Sequence, residues 1–212
     1  MYTRYVKRLL DLLCALVLLL PVLLVIAICA VFIVLEDRGP VFYMADRMGR
    51  DHKPFRMYKL RSMYVNSPDL RMADGSTYNA ADDPRMTRVG AFIRKTSIDE
   101  LPQVLNILRG DMSLVGPRPD DLHEATLYQG RDAEKLRVRP GITGYAQVYG
   151  RNAIEWRDRL TLDVEYVDKI SFLLDVKIFF RTFGVVFGQQ DVYVQQASKT
   201  EDDADDDSED SQ

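Results

Sequence analysis

Cysteine and histidine are scarce in this sequence of 212 residues, which contains two of each. Cys14 and Cys29 both lie in the apolar N-terminal run, where they provide neither a disulfide framework nor a zinc-binding spacing. His52 and His123 are isolated and are interpreted as ordinary surface residues. We therefore do not expect catalysis by a cysteine or histidine nucleophile.

Charge is missing from residues 12–35, a run of 24 residues without an acid or a base. At about 1.5 Å per residue, a helix of this length can cross a bilayer core of about 30 Å. A signal peptide is not expected, because its apolar core would be shorter. Pro21 cannot donate a hydrogen bond to Val17, and basic residues flank both ends of the run. These features leave two alternatives open, a kinked spanning helix and a re-entrant helix that returns to the side it entered from.

Basic residues are missing from the C-terminal tail, where residues 200–212 contain eight acids. This composition predicts a disordered, solvated segment. Without the tail, 28 basic residues face 24 acidic ones, so the body of the protein carries a net positive charge despite the overall value of −4. We expect a membrane segment over residues 1–37, a catalytic domain over 38–190 and an acidic tail over 191–212.

The fold predicted for the remaining chain is mainly α with one short β-hairpin, an α+β arrangement. Two alternating apolar stretches between residues 39 and 63 predict the hairpin. Apolar residues at helical spacing from Leu101 to Leu108, followed by Gly110, predict an amphipathic helix. Residues 170–188 fit either a helix lying in the membrane interface or a core helix, and the pattern alone does not separate the two.

The stretch "TSIDELPQ" places Asp99 and Glu100 side by side just before the amphipathic helix. Ser97 and Glu100 match a capping box, and Asp99 is an alternative cap because it would put Pro102 at a position that needs no N–H. A catalytic carboxylate pair is the third interpretation. Arginines in the loops "GPRP" and "RVRPG" could bind phosphate or could be solvated turn residues.

The chain resembles the monotopic phosphoglycosyl transferases, a bacterial sugar transferase family, in a minimal form. The matching motifs occur in the family's order and cover nearly everything except the tail. They are "KRLLDL", "RMGRDHKPFRMYKLRSM", "IRKTSIDELPQVLNILRGDMSLVGPRP", "KLRVRPGITGYAQVYGRN" and "DVEYVDKISFLLDVKI". "GRNAIEW" and "ISFLLD" resemble the members that handle N-acetylated amino sugars, including undecaprenyl phosphate N,N'-diacetylbacillosamine phosphotransferases.

This resemblance implies that a sugar 1-phosphate moves from a UDP-sugar to undecaprenyl phosphate with release of UMP. Asp99 matches the nucleophile that forms a covalent phosphosugar intermediate in a ping-pong scheme. Glu100 matches its partner, and the two carboxylates are expected to hold Mg²⁺. The resemblance assigns substrate phosphates to four arginines: Arg61, Arg94, Arg118 and Arg139.

The resemblance also favours the re-entrant helix, bent at Pro21, with the enzyme in one leaflet on the cytoplasmic face of the bacterial inner membrane. The expected partners are the UDP-sugar, undecaprenyl phosphate and the membrane leaflet, and not nucleic acid. The oligomeric state is left open, with a homodimer as one alternative. Two other functions are retained: a non-catalytic basic membrane adaptor, and a polyprenyl-phosphate glycosyltransferase that releases UDP.

Overall fold

The computed structural model describes residues 2–70, 78, 83–150 and 155–187, so the predicted acidic tail lies outside the described residues. Within these ranges the protein is mostly helical, with two small sheets. The helices are α1 (Lys7–Asp37), α2 (Arg88–Lys95), α3 (Gln103–Arg109), α4 (Leu122–Thr126), α5 (Trp156–Lys169) and α6 (Phe172–Phe187). The strands are β1 (Phe42–Met48), β2 (Pro54–Leu60), β3 (Ser113–Val115) and β4 (Gly141–Thr143).

Helix α1 is a single helix of 31 residues that contains Pro21. One stripe of its side chains is buried against the rest of the protein, from Ala15 near its start to Ile33 near its end. This spacing of three and four residues is that of one helix face. The other faces expose large apolar side chains such as Val17 and Leu20. Among the described residues, α1 is the one helix long and apolar enough to cross a membrane, judged by length and composition.

Polar contacts fasten both ends of α1 to the same folded domain. At its start, Lys7 forms a buried ion pair with Asp175 of α6, at 2.6 Å. At its end, Asp37 pairs with Arg61, and Glu36 accepts hydrogen bonds of 2.7 and 3.0 Å from the first two N–H groups of α2. The two ends of a helix about 45 Å long are therefore held by one small domain.

The predicted hairpin is confirmed, because β1 and β2 pair antiparallel from Phe42↔Leu60 to Met48↔Pro54. Its turn places Asp51 and His52 in the left-handed region of φ. Main-chain bonds join the hairpin to the remainder of the domain, including one of 2.9 Å from Met48 N–H to the Asp120 carbonyl. This contact brings the hairpin to the loop that follows β3.

A second sheet, formed by the parallel pair β3 and β4, was not predicted. Its three-residue strands are too short to show an alternating pattern. Glycines allow the two segments to touch: a Cβ on Gly141 would lie 2.1 Å from Gly116 N, and one on Gly144 would lie 2.1 Å from Gly116 O. The backbones of "VGPRP" and "PGITG" therefore come too close together for a Cβ atom, which is why glycine is required at these positions.

Helices α5 and α6 pack together in a second hydrophobic cluster, which also contains Val115 of β3. Tyr166 of α5 is fully buried and donates a 2.6 Å hydrogen bond to Asp175 of α6. Helix α6 buries Ile178 but exposes Leu173 and Phe180, at 78% and 68% respectively. A core helix, one of the two interpretations of this segment, is excluded by that exposed apolar face.

Candidate active site

Asp99 and Glu100 lie in a short 3-10 turn, Ile98–Glu100, that precedes α3. Neither predicted cap is correct. The backbone of Ser97 adopts the left-handed conformation and its side chain makes no capping hydrogen bond. The N-cap of α3 is Pro102 and not Asp99. The physical reason is the proline. Its missing N–H is not needed at a helix start, so α3 begins after it and the two acids are left in the preceding turn.

Lys59 of β2 is the cation that contacts both carboxylates. Its Nζ lies 2.8 Å from Glu100 Oε1 and 3.8 Å from Asp99 Oδ2. The side chains are largely shielded from solvent, with exposed fractions of 8% for Asp99 and 21% for Glu100. A charge pair in such surroundings is screened less than one at the surface.

The two carboxylates differ in their pKa. Burial raises the pKa of Asp99 to about 6, and the charge of Glu100 adds to the rise. For Glu100, burial favours the protonated form, but Lys59 and Arg118 outweigh it and its pKa falls below the usual value. At neutral pH both groups are therefore ionised, with Asp99 the closer to its protonation point.

Two predicted phosphate-binding arginines adjoin this pair. After Lys59, the charges of Arg94 and Arg118 are the main ones that oppose the raised pKa of Asp99. Arg94 is in the last turn of α2, and its Nη1 is buried without a hydrogen-bond partner among the described residues. A buried donor left unpaired is costly, so this nitrogen has an unused capacity to donate a hydrogen bond next to the carboxylates.

The loop that carries Arg118 is held against β4 at its start. Gly116 and Pro117 pack against β4, where the Gly141 N–H donates to the Pro117 carbonyl at 2.9 Å. Arg118 itself is exposed, while the prolines on either side restrict the backbone that directs it. The guanidinium is thus presented to solvent from a rigid support.

A buried ion cluster lies beneath the same loop. Lys135 Nζ contacts Asp120 and Asp163, each at 2.7 Å, and all three side chains are at most 8% exposed. Burial disfavours the charge on Lys135, but the two carboxylates outweigh it and raise its pKa. Lys135 and Tyr128 likewise lower the pKa of Asp120 against the effect of burial. The buried ion pair between Asp120 and Lys135 therefore anchors the end of the Arg118 loop in the protein interior.

The other two predicted arginines do not reach the carboxylate pair. Arg61 turns towards the end of α1, where its guanidinium pairs with Asp37 and its Nε donates to the Pro40 carbonyl at 2.5 Å. Arg139 donates to the Gly110 carbonyl at 2.8 Å, beyond the opposite end of α3. Their roles in binding phosphate stay predictions.

Two cations, one at the carboxylate pair and one beside Arg118, were missed from the sequence. Strand periodicity gives Lys59 and Arg61 the same face, so spacing could not tell which one reaches the acids. The strand ends at Leu60, which frees Arg61 to turn away. Arg159 of α5 was also missed, and its pKa is lowered by burial and then by the nearby charge of Arg118. Arg159 comes close to Arg118 only because α5 packs against the segment that carries Arg118.

The residues present fit a magnesium ion that binds together with substrate. Mg²⁺ is commonly held by one or two carboxylates plus phosphate oxygens and water. Asp99 and Glu100 would supply the carboxylates, although Glu100 Oε1 is already paired with Lys59. Among the described residues, no cluster of three or more acids, histidines or cysteines offers a complete protein site.

Comparison with known proteins shows the family. The chain matches the bacterial sugar transferase family over residues 2–189. The chain belongs to that family. It is 46% identical over 172 residues to the "Uncharacterized sugar transferase EpsL" of Bacillus subtilis (strain 168), covering 81% of this chain and 82% of that one.

Two longer relatives have names that state a reaction. One is the "Undecaprenyl-phosphate glucose phosphotransferase" of Komagataeibacter xylinus, 43% identical over 190 residues, with 83% of this chain and 35% of the relative covered. The other is the "UDP-N-acetylgalactosamine-undecaprenyl-phosphate N-acetylgalactosaminephosphotransferase" of Aeromonas hydrophila, 40% identical over 194 residues, with coverages of 86% and 44%. The chain thus spans less than half the length of these two relatives.

Proposed function

We propose that this sugar transferase moves a sugar 1-phosphate from a UDP-sugar to undecaprenyl phosphate and releases UMP. The observation that carries the proposal is the pair Asp99 and Glu100 set among Lys59, Arg94 and Arg118. The unpaired Nη1 of Arg94 supports it further, since a diphosphate would supply the missing acceptor. The names of the two longer relatives state sugar phosphotransfer involving undecaprenyl phosphate, which supports the general part of this reaction.

In the first step, a carboxylate oxygen of Asp99 attacks the phosphorus that carries the sugar. A new P–O bond to Asp99 forms, the P–O bond to the α-phosphate breaks, and UMP leaves with the electron pair. The pKa of about 6 keeps Asp99 ionised at neutral pH. The repulsion between carboxylate and diphosphate is lowered by the positive charges of Lys59, Arg94 and Arg118.

In the second step, an oxygen of the lipid phosphate attacks the same phosphorus. The bond to Asp99 breaks, its carboxylate is restored, and a diphosphate-linked sugar forms. Glu100, held in place by Lys59 at 2.8 Å, accepts a hydrogen bond from the P–OH group of the incoming lipid phosphate and so orients it. When bound, Mg²⁺ would supply charge neutralisation on the phosphate oxygens, with Asp99 and Glu100 as its protein ligands.

The attachment of α1 supports a position in one leaflet. Its polar ends are bound to the same domain, through Asp175 at one end and Arg61 at the other. A helix that crossed the bilayer would place one of these charged contacts on the opposite side of the membrane, away from the domain. A re-entrant or in-plane helix on the cytoplasmic face avoids that cost and keeps the site beside the lipid phosphate.

The test is incubation of the full chain with UDP-sugars and Mg²⁺, followed by nucleotide analysis and peptide mass spectrometry. We expect UMP release and a phosphosugar mass on the peptide that contains Asp99. Asp99→Asn should abolish both, whereas Asp46→Asn, a matched change of an exposed acid in β1, should abolish neither. UMP release by Asp99→Asn at the normal rate would refute the assignment.

The same assay addresses the sugar and the competing functions. We propose an N-acetylated amino sugar, so UDP-N-acetylhexosamines should release UMP faster than UDP-glucose or UDP-galactose. Release of UDP instead of UMP, with no covalent adduct, would identify an ordinary glycosyltransferase. No nucleotide release with any donor, together with salt-sensitive lipid binding, would identify an adaptor.

A further inference from the structure

A cleft of about 380 Å³ lies at the start of α1, away from the carboxylate pair. It is lined by residues of α1, the hairpin turn and the segment before β4. We call it the basic cleft because five of its lining side chains are cationic and one is acidic: Lys7, Arg8, Arg50, Arg137, Arg139 and Asp11. Its volume is in the range of ordinary ligand sites.

The positive charge of the basic cleft is only partly neutralised from within. Asp11, its one acid, already accepts hydrogen bonds from Ser113 Oγ at 2.8 Å and from the Leu114 N–H at 3.0 Å. Lys7 is neutralised by Asp175, at 2.6 Å. Arg50 and Arg137 pair with Asp51 at 3.0 Å and with Glu134 at 3.8 Å, but both pairs are solvent-exposed and therefore weak. The arginines thus keep most of the positive charge that an anion could use.

Two of these arginines have neutral partners. Arg8 donates to the Ile107 carbonyl at 2.7 Å, and Arg139 donates to the Gly110 carbonyl at 2.8 Å. Among the described residues neither forms an ion pair with a carboxylate. The two guanidinium groups meet at Gly110, because Arg8 Nη2 lies 3.5 Å from the position of a Cβ on Gly110, the residue whose carbonyl Arg139 contacts. Burial and then the charges of Arg50 and Arg8 lower the pKa of Arg139, against the opposing effect of Asp11 and Asp51. Like charges gathered in this way are stabilised by a bound anion.

The basic cleft is separate from the proposed catalytic pair. Asp99 precedes α3, whereas the carbonyls that Arg8 and Arg139 contact belong to its last turn and its C-cap. The seven residues of α3 span about 10 Å between these two places. A phosphate held in the cleft would not touch the nucleophile.

The surroundings of the cleft indicate what kind of anion it binds. Tyr5 and Leu9, on the turns beside Arg8, are 62% and 59% exposed. On the other wall, Ile170 lines the cleft and leads into α6, which begins with the exposed Phe172 and Leu173. Cationic groups are therefore flanked on two sides by exposed apolar surface, the arrangement that matches a phosphate attached to acyl chains.

We propose that the basic cleft binds the head group of an anionic phospholipid and thereby fixes the depth and orientation of the enzyme in the leaflet. The arginines contact the phosphodiester, and the apolar walls contact the first carbons of the chains. The inference does not depend on sugar transfer, because it concerns residues at the other end of α3.

The test is native mass spectrometry of the full chain in mixed micelles with phosphatidylglycerol or phosphatidylcholine and without a sugar donor. We expect one phosphatidylglycerol bound per chain in preference to phosphatidylcholine. Arg50→Gln with Arg137→Gln should weaken that binding about tenfold or more. These two side chains are exposed and cap no helix, so the fold is expected to persist, as circular dichroism will check.

The matched control is Arg56→Gln with Arg88→Gln, which removes the same charge from exposed positions outside the cleft. Its phosphatidylglycerol affinity should equal that of the unmodified chain, and Arg137→Glu should weaken binding more than Arg137→Gln. Equal loss in both double variants, or equal binding of both phospholipids, would overturn the proposal. Displacement by equimolar undecaprenyl phosphate or by inorganic phosphate would overturn the phospholipid assignment and give the cleft to the acceptor lipid or to a free anion.

Discussion

Removing the charge of Lys59 should shift the pH dependence of the reaction upwards. Lys59→Met leaves Asp99 without the cation at 3.8 Å, and a nearby positive charge favours the ionised carboxylate. One unit charge at this distance contributes about 1 kcal/mol in water-like surroundings and about 4 kcal/mol at an effective dielectric constant near 20. Since one pKa unit corresponds to about 1.4 kcal/mol, the pKa of Asp99 should rise by roughly 1 to 3 units.

The assay is UMP release measured from about pH 5 to about pH 9, where the acid limb reports ionisation of the essential carboxylate. The Asp99 pKa of about 6 applies without a metal, and bound Mg²⁺ would lower it, so the limb of the unmodified enzyme should lie at or below about pH 6. In Lys59→Met it should move to higher pH, so activity falls far more at slightly acid pH than at alkaline pH. Lys59→Arg, which keeps the charge, should restore most of the original profile.

A suitable control is Lys53→Met, because Lys53 is an exposed lysine in the same hairpin and loses the same charge. Its profile should match that of the unmodified enzyme. An acid limb that stays in place in Lys59→Met, or that moves to lower pH, would show that Lys59 does not set the ionisation of Asp99. The electrostatic account of the carboxylate pair would then be wrong.

Three further predictions concern the support of the site. Lys135→Met leaves two buried carboxylates unpaired and should reduce the free energy of unfolding by about 3–5 kcal/mol, measured by chemical denaturation. Gly141→Ala would place a Cβ 2.1 Å from Gly116 N, so UMP release should fall sharply; a normal rate would contradict the required close approach. The Arg61 hydrogen bond lowers the pKa of Asp37, so their contribution to stability is present at neutral pH and lost as the pH falls below about 4. Arg61→Gln should therefore lower the melting temperature at pH 7 more than at about pH 3.

Local patterns in the sequence were sufficient to predict several elements. The uncharged run predicted α1, the alternating stretches predicted the hairpin, and the spacing from Leu101 to Leu108 with Gly110 predicted α3 and its end. These signals are reliable because each depends on the period of one helix or strand. The parallel pair of β3 and β4 could not be found in this way, since its contact joins segments about 28 residues apart through glycines.

The amino-acid sequence by itself determined the chemistry available to this protein: adjacent acids, loops rich in arginine, an apolar N-terminal helix and the motifs of a sugar transferase. Only the tertiary structure decided which basic side chains lie next to Asp99 and Glu100. Lys59 reaches Asp99 and Glu100, while Arg61 turns to α1 and Arg139 joins the basic cleft. The reason is that residue type and spacing specify a side chain's charge and local face, whereas its partner depends on how distant segments pack.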